Sequence, residues 1–174
     1  RAPDHDRHDR PLHGPHAPPV DRQPRNVAPP EAGLTFDREQ DGFEDVNAYF
    51  HIDRSQRHLQ DLGYTGPRAV VPYAIEVDAH AASGPDNSFF IPSTTEAGKG
   101  VLYFGEGGTD DAEDADLLVH EYAHAIMEWM APGTFSGAFS GEPRALGEGF
   151  GDYWAFSGHA EARPASGRDP SCFP

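Results

Sequence analysis

The sequence predicts an α+β fold: a small, mainly antiparallel sheet packed on a long helix, with a second helix behind it. Three observations carry this. Short runs rich in β-branched and aromatic residues fall between residues 69 and 104, apolar residues recur at helical spacing over 110–131 and 145–157, and one further helical segment precedes the strands. With 174 residues, the chain has room for one domain.

Residues 1–32 contain eight prolines, four histidines (His5, His8, His13 and His16) and almost no large apolar side chains. Such a segment cannot bury enough surface to offset the entropy of ordering it, so a flexible arm is expected there. Its histidines read as solvated side chains before they read as loose metal ligands. The structured domain is expected over 33–160, with 161–174 a loop or tail.

Within the domain, Val46, Tyr49, Phe50, Ile52, Leu59 and Leu62 give residues 45–62 helical spacing, and Gly63 supplies a stop. The run AVVPYAIEV at 69–77 reads as an edge or bulged strand, because Pro72 has no N–H for a ladder. Two more short strands follow at 88–91 and 100–104, separated by turn residues, and the three read together as an antiparallel sheet. Asp110 and Glu113 have capping-box spacing, which opens a helix that runs to Ala131-Pro132-Gly133.

A Gly/Ser-rich loop over 133–141 leads to a last helix at 145–157, carrying Leu146, Phe150, Tyr153, Trp154 and Phe156 and ended by Gly158. Gly147, Gly149 and Gly151 weaken this helix by about 1 kcal/mol each relative to Ala. They make sense if another backbone or a ligand shell packs closely against it.

Lys+Arg number 13 against 29 Asp+Glu, a formal net charge of −16. A surface this negative repels phosphates, which argues against a nucleic-acid partner or an anionic membrane. Hydrophobic residues are only 37%, and Gly (19) with Pro (17) make up about a fifth of the chain, so the core is expected to be modest. No apolar run approaches the roughly 20 residues of a membrane span. Cys172 is the sole cysteine, so no disulfide can form within the chain. The sequence starts at Arg1 without a basic-apolar leader, which reads as a processed N-terminus or an excerpt of a longer chain.

The chemistry resides in HEYAH at 120–124, inside the longest predicted helix. Residues four apart share a helix face, so His120 and His124 can both reach one zinc ion through neutral imidazole nitrogens. Glu121 is rotated about 100° from His120, outside the ligand set but near the open coordination position, and is the natural general base. The competing view is two histidines flanking a hydrophilic stripe, which the apolar surroundings disfavour. A third ligand is expected from a downstream acid. Glu142 and Glu148 compete, and Glu148 is preferred because Asp152, one turn on, could then accept the remaining ring N–H of a zinc histidine. The competing reading of Asp152 is a solvated surface acid.

HEYAH, the following ALGEGFGD, the upstream DNSFF and the segment NAYFHIDRSQRHLQDLGY together resemble the gluzincin metallopeptidases, nearest in texture to the fungalysin branch and related to thermolysin-like enzymes. The similarity covers roughly residues 34–158. It implies a thermolysin-like N-terminal catalytic subdomain in a secreted zinc metalloendopeptidase acting on protein or peptide substrates. By this resemblance His120, His124 and Glu148 are zinc ligands, Glu121 the base and proton shuttle, and Asp152 the acid behind a ligand histidine. Asn87 and Ser88 match edge-strand positions that hold substrate backbone, although Asn87 also reads as a turn residue.

Two departures accompany the resemblance. Asp116 matches a calcium-binding position of thermolysin-like enzymes, but the acid expected eleven residues after the third ligand is His159, so that calcium site is not expected. The family's oxyanion-stabilising histidine belongs to a C-terminal helical domain, and nothing between Glu148 and Pro174 matches its motif. The chain is therefore expected to be the zinc-helix part of a catalytic unit. The alternatives are a zinc-binding but catalytically inactive module, and an acidic binding domain whose motifs are accidental.

Overall fold

The first helix, α1, spans Gly42–Asp61 and buries Ala48, Ile52 and Leu59 along one stripe. It stops where Gly63 takes φ +93°. There the Gly63 N–H donates to the Gln60 carbonyl at 2.9 Å and the Tyr64 N–H to the Leu59 carbonyl at 3.0 Å, the paired bonds of a Schellman motif. The computed structural model describes residues 16–17, 36–40, 42–81, 86–135 and 141–160.

The next segment departs from the sequence expectation. Of the run at 69–77, only its end pairs in a sheet, as β1 (Glu76–Asp78). Val71 sits at φ +46°, a conformation rarely taken by a β-branched residue, and Pro72 cannot donate to a ladder. Val70 and Val71 are nevertheless buried, and Gln56 Nε2 of α1 donates to their carbonyls at 2.9 and 3.5 Å. The β-branched character of this run serves core packing, not strand pairing.

Strands β2 (Phe89–Pro92) and β3 (Gly100–Tyr103) complete a three-stranded sheet of order β1-β3-β2. β2 lies antiparallel to β3, with Phe89 opposite Tyr103 and Pro92 opposite Gly100. β1 joins β3 in parallel, Val77 facing Leu102. The sheet is thus mixed, a correction to the mainly antiparallel expectation. Strand composition does not encode direction, and the stretch containing β2 supplies the long connection that a parallel neighbour requires.

The second helix, α2, spans Ala115–Met130 and begins later than the capping-box spacing implies. Asp111–Glu113 forms a separate 3-10 turn, and Glu113 turns its carboxylate to Arg38 at 2.5 Å. Asp114 is the cap instead, its Oδ1 accepting the N–H groups of Asp116 at 2.8 Å and Leu117 at 3.4 Å. Past the end of α2, Glu128 accepts the Gly133 N–H with both oxygens at 3.1 Å. The third helix, α3, covers Glu142–Ala160. It starts before the apolar pattern does because Pro143 suits a first turn, where no N–H is required.

One buried cluster joins these elements, with Ile52 and Leu59 of α1, Val77 of β1, Leu102 of β3, Leu118, Tyr122 and Ile126 of α2, and Trp154 of α3. The Tyr122 hydroxyl donates to Gln56 Oε1 at 2.5 Å, and Trp154 Nε1 donates to Ser55 Oγ at 2.8 Å, so α1 is hydrogen-bonded to both other helices inside the core. Of the segment read as a flexible arm, His16 and Ala17 are described. Ala17 is buried in the same cluster, and the His16 carbonyl accepts the Ile75 N–H at 2.9 Å. The remainder of that arm, the tail at 161–174 and the His159 side chain lie outside the described residues. The described residues form an α+β fold, with three α-helices and a small mixed sheet. No described helix is long and apolar enough to cross a membrane.

Candidate metal centre

Helix α2 is apolar around most of its circumference, with Leu118, Val119, Tyr122, Ala123, Ala125 and Ile126 buried. It is therefore held on several sides, and its few polar residues are fixed in direction by that packing. His120 and His124 stand one turn apart with ring centroids 5.1 Å apart and planes at 77°. Helix α3 packs across α2 and presents Glu148 and Asp152 to the same place.

The donor atoms converge. His120 Nε2 lies 3.3 Å and His124 Nε2 3.9 Å from Glu148 Oε2, and the ligand atoms of the three residues all fall within 4.8 Å of one another. Two donors bound at 2.0–2.1 Å to one tetrahedral ion are separated by roughly 3.3–3.4 Å. The observed spacings match that requirement better than a charge-assisted hydrogen bond of about 2.8 Å. Two imidazoles and one carboxylate are also a donor set suited to zinc. Of the two competing glutamates, Glu148 is the one beside the histidines, while Glu142 opens α3 in an exposed position.

Asp152 Oδ1 stands 2.9 Å from His120 Nδ1. An ionised carboxylate only accepts, so Asp152 favours a proton on Nδ1, the arrangement in which Nε2 can serve a metal. His124 is pushed below its ordinary pKa by burial and then by His120, against the pull of Glu148. Both effects favour the neutral imidazole that metal binding requires.

The close approach of α3 depends on one of its four glycines, Gly158 having nothing within 4 Å. A Cβ at Gly151 would lie 2.7 Å from His120 Cε1 and 2.8 Å from its Nδ1, whereas at Gly147 the nearest atom, His124 Cε1, is 3.9 Å away and at Gly149 nothing lies within 4 Å. Only Gly151 is required by space.

Glu121 is not one of the three grouped ligand residues and is 6% exposed. Burial, opposed by His120 and reinforced by Glu148, pushes its pKa up to about 7, and a hydrogen bond from the Phe90 backbone N–H pulls it down again. A carboxyl group poised near neutrality beside His120 and Glu148 is equipped to take up and release a proton. Phe90 lies in β2, an outer strand of the sheet, so the sheet edge and the acid are in direct contact.

Asn87 is exposed just ahead of β2. Ser88 Oγ donates to Asp111 Oδ2 at 2.6 Å, so its hydroxyl anchors β2 to the 3-10 turn before α2. The structure thus brings His120, His124, Glu148 and Asp152 together, and leaves Asn87 and Ser88 at the approach to the strand that touches Glu121. Two participants escaped the sequence reading. Arg144 Nη2 lies 3.7 Å from Glu148 Oε1, an i,i+4 pair that would have been legible had α3 been started three residues earlier. The Phe90 amide is a backbone group and leaves no trace in residue type. No protein-family model matches the chain, and no curated protein matches it significantly.

Proposed function

We propose that the chain is the zinc-helix part of a secreted, fungalysin-like metalloendopeptidase of the gluzincin class, with a thermolysin-like N-terminal subdomain. The observation that carries this reading is the meeting of His120, His124 and Glu148 within 4.8 Å, beside a buried glutamate one residue along the same helix. In this reading His120, His124 and Glu148 hold the ion, and Asp152 fixes the ring of His120. Bound zinc supplies a Lewis acid that polarises a peptide carbonyl and acidifies water. Glu121 accepts the proton of the attacking water and returns it to the departing amine, and its position against β2 puts it next to a substrate strand laid along that sheet edge.

Leu146, Tyr153 and Phe156 of α3 are exposed, as is expected if a C-terminal helical domain of the same protein covers this side and completes the cleft. The test is the zinc-to-protein ratio of the purified chain by elemental mass spectrometry. A ratio near one that collapses in His120→Ala, together with a Glu121→Gln variant that keeps zinc but loses phenanthroline-sensitive casein hydrolysis, supports the reading. A folded chain that takes up no zinc overturns it, a chain that holds zinc but hydrolyses no casein is the inactive module, and hydrolysis retained in Glu121→Gln removes Glu121 from the mechanism.

A further inference from the structure

A second group of acids gathers on the other side of α2's start. Carboxylate oxygens of Glu44, Asp110 and Glu113 all lie within 4.8 Å of one another. Glu44 belongs to the first turn of α1, and the other two bracket the 3-10 turn that leads into α2. Their relative placement is fixed, because Asn47 Nδ2 donates to the Ala112 carbonyl at 2.8 Å and Ala112 is wholly buried.

Glu44 is only 4% exposed, and its Oε2 is buried with no hydrogen-bond partner. An unsatisfied carboxylate oxygen in such a place is costly unless something positive meets it. Among the described residues the nearby cations have other partners. Arg38 is paired with Glu113 at 2.5 Å, and His80 is held by Glu106 at 3.2 Å with Asp45 on its other nitrogen at 4.0 Å. Burial and the neighbouring Asp110 and Glu113 raise the pKa of Glu44, against the pull of its own backbone N–H and of His80.

We propose that Glu44, Asp110 and Glu113 form a binding site for a hard divalent cation of the calcium class, which ties the first turn of α1 to the segment launching α2. An all-carboxylate set selects oxygen-loving ions over zinc. Opposite oxygens around calcium, at 2.3–2.6 Å each, are separated by about 5 Å, so three carboxylates within 4.8 Å of one another can surround one ion without rearrangement. The site shares no residue with the His120–His124–Glu148 centre and does not depend on the function proposed for it.

The test is calorimetric titration of Ca2+ into the chelator-treated 174-residue chain, with the melting temperature as a second readout. One Ca2+ per chain is expected, with a rise in melting temperature. Glu44→Gln and Glu113→Gln should each weaken the binding by about tenfold or more, while Glu148→Gln should leave it unchanged. If Glu44→Gln fails to fold by circular dichroism, the less buried Glu113→Gln carries the comparison. Absence of saturable Ca2+ binding, binding that survives Glu113→Gln, or loss confined to Glu148→Gln would each overturn the proposal.

Discussion

Replacing Gly151 by Ala places one methyl group against the ring of His120. The added carbon would lie 2.7 Å from Cε1, 2.8 Å from Nδ1 and 2.9 Å from Nε2. Ordinary carbon contacts are 3.5–4.0 Å, so the ring must retreat by about 0.8 Å. It cannot do so and keep its 2.9 Å bond to Asp152, and a donor displaced that far exceeds the roughly 0.2 Å tolerance of a metal bond. Zinc affinity should fall about 10- to 100-fold, equivalent to roughly 1.4–2.7 kcal/mol. The metal-free protein should lose about 1–3 kcal/mol from overpacking. The assay is competitive zinc titration against a chromophoric chelator, paired with urea unfolding of the stripped chain. Gly149→Ala is the matched control: with nothing within 4 Å of its Cβ, it should leave affinity intact and stabilise the helix by up to about 1 kcal/mol. Equal zinc affinity in Gly151→Ala and Gly149→Ala would refute the inference that α3 is held close by that one residue.

Three further outcomes follow from the same geometry. In the metal-free chain the folded pKa of Glu121, about 7, lies above its unfolded value near 4.3. Its contribution is therefore fully favourable below about pH 4 and is lost as pH rises through 7, at a cost of about 4 kcal/mol. Glu121→Gln removes that cost, so its urea midpoint should exceed wild type at pH 8 and by much less at pH 5; an equal advantage at both pH values would contradict the assignment. Tyr122→Phe strips Gln56 Oε1 of its buried donor and should lower stability by about 1–3 kcal/mol in urea unfolding, with no change in zinc affinity. Asp114→Ala should cost about 1 kcal/mol by loss of the α2 cap, and Asp114→Asn should restore most of it, both read by thermal melting.

What could be read without coordinates was what repeats along a helix. The i,i+4 spacing of His120 and His124, and of Glu148 and Asp152, defines a face through helical geometry alone, and Gly63 marks the end of α1 because few other residues accept its φ of +93°. Sequence order also gave the helices, whose period is local. It did not give the direction of β1 or its true extent, since Val70 and Val71 look like strand residues but are buried by a side-chain clamp from Gln56, fifteen or fewer residues away in sequence and decided only when α1 docks. Nor could composition distinguish Gly151 from Gly147 and Gly149, because which glycine faces His120 depends on the crossing of α2 and α3. The pairing of Glu44 with Asp110 and Glu113 is of the same kind: more than sixty residues separate the partners, and nothing local to either segment announces the other. The sequence by itself determined which side chains share a helix face, because bond geometry sets that period. Which faces meet, and so which nitrogen finds which oxygen, was decided by how three helices and a short sheet bury one apolar cluster together.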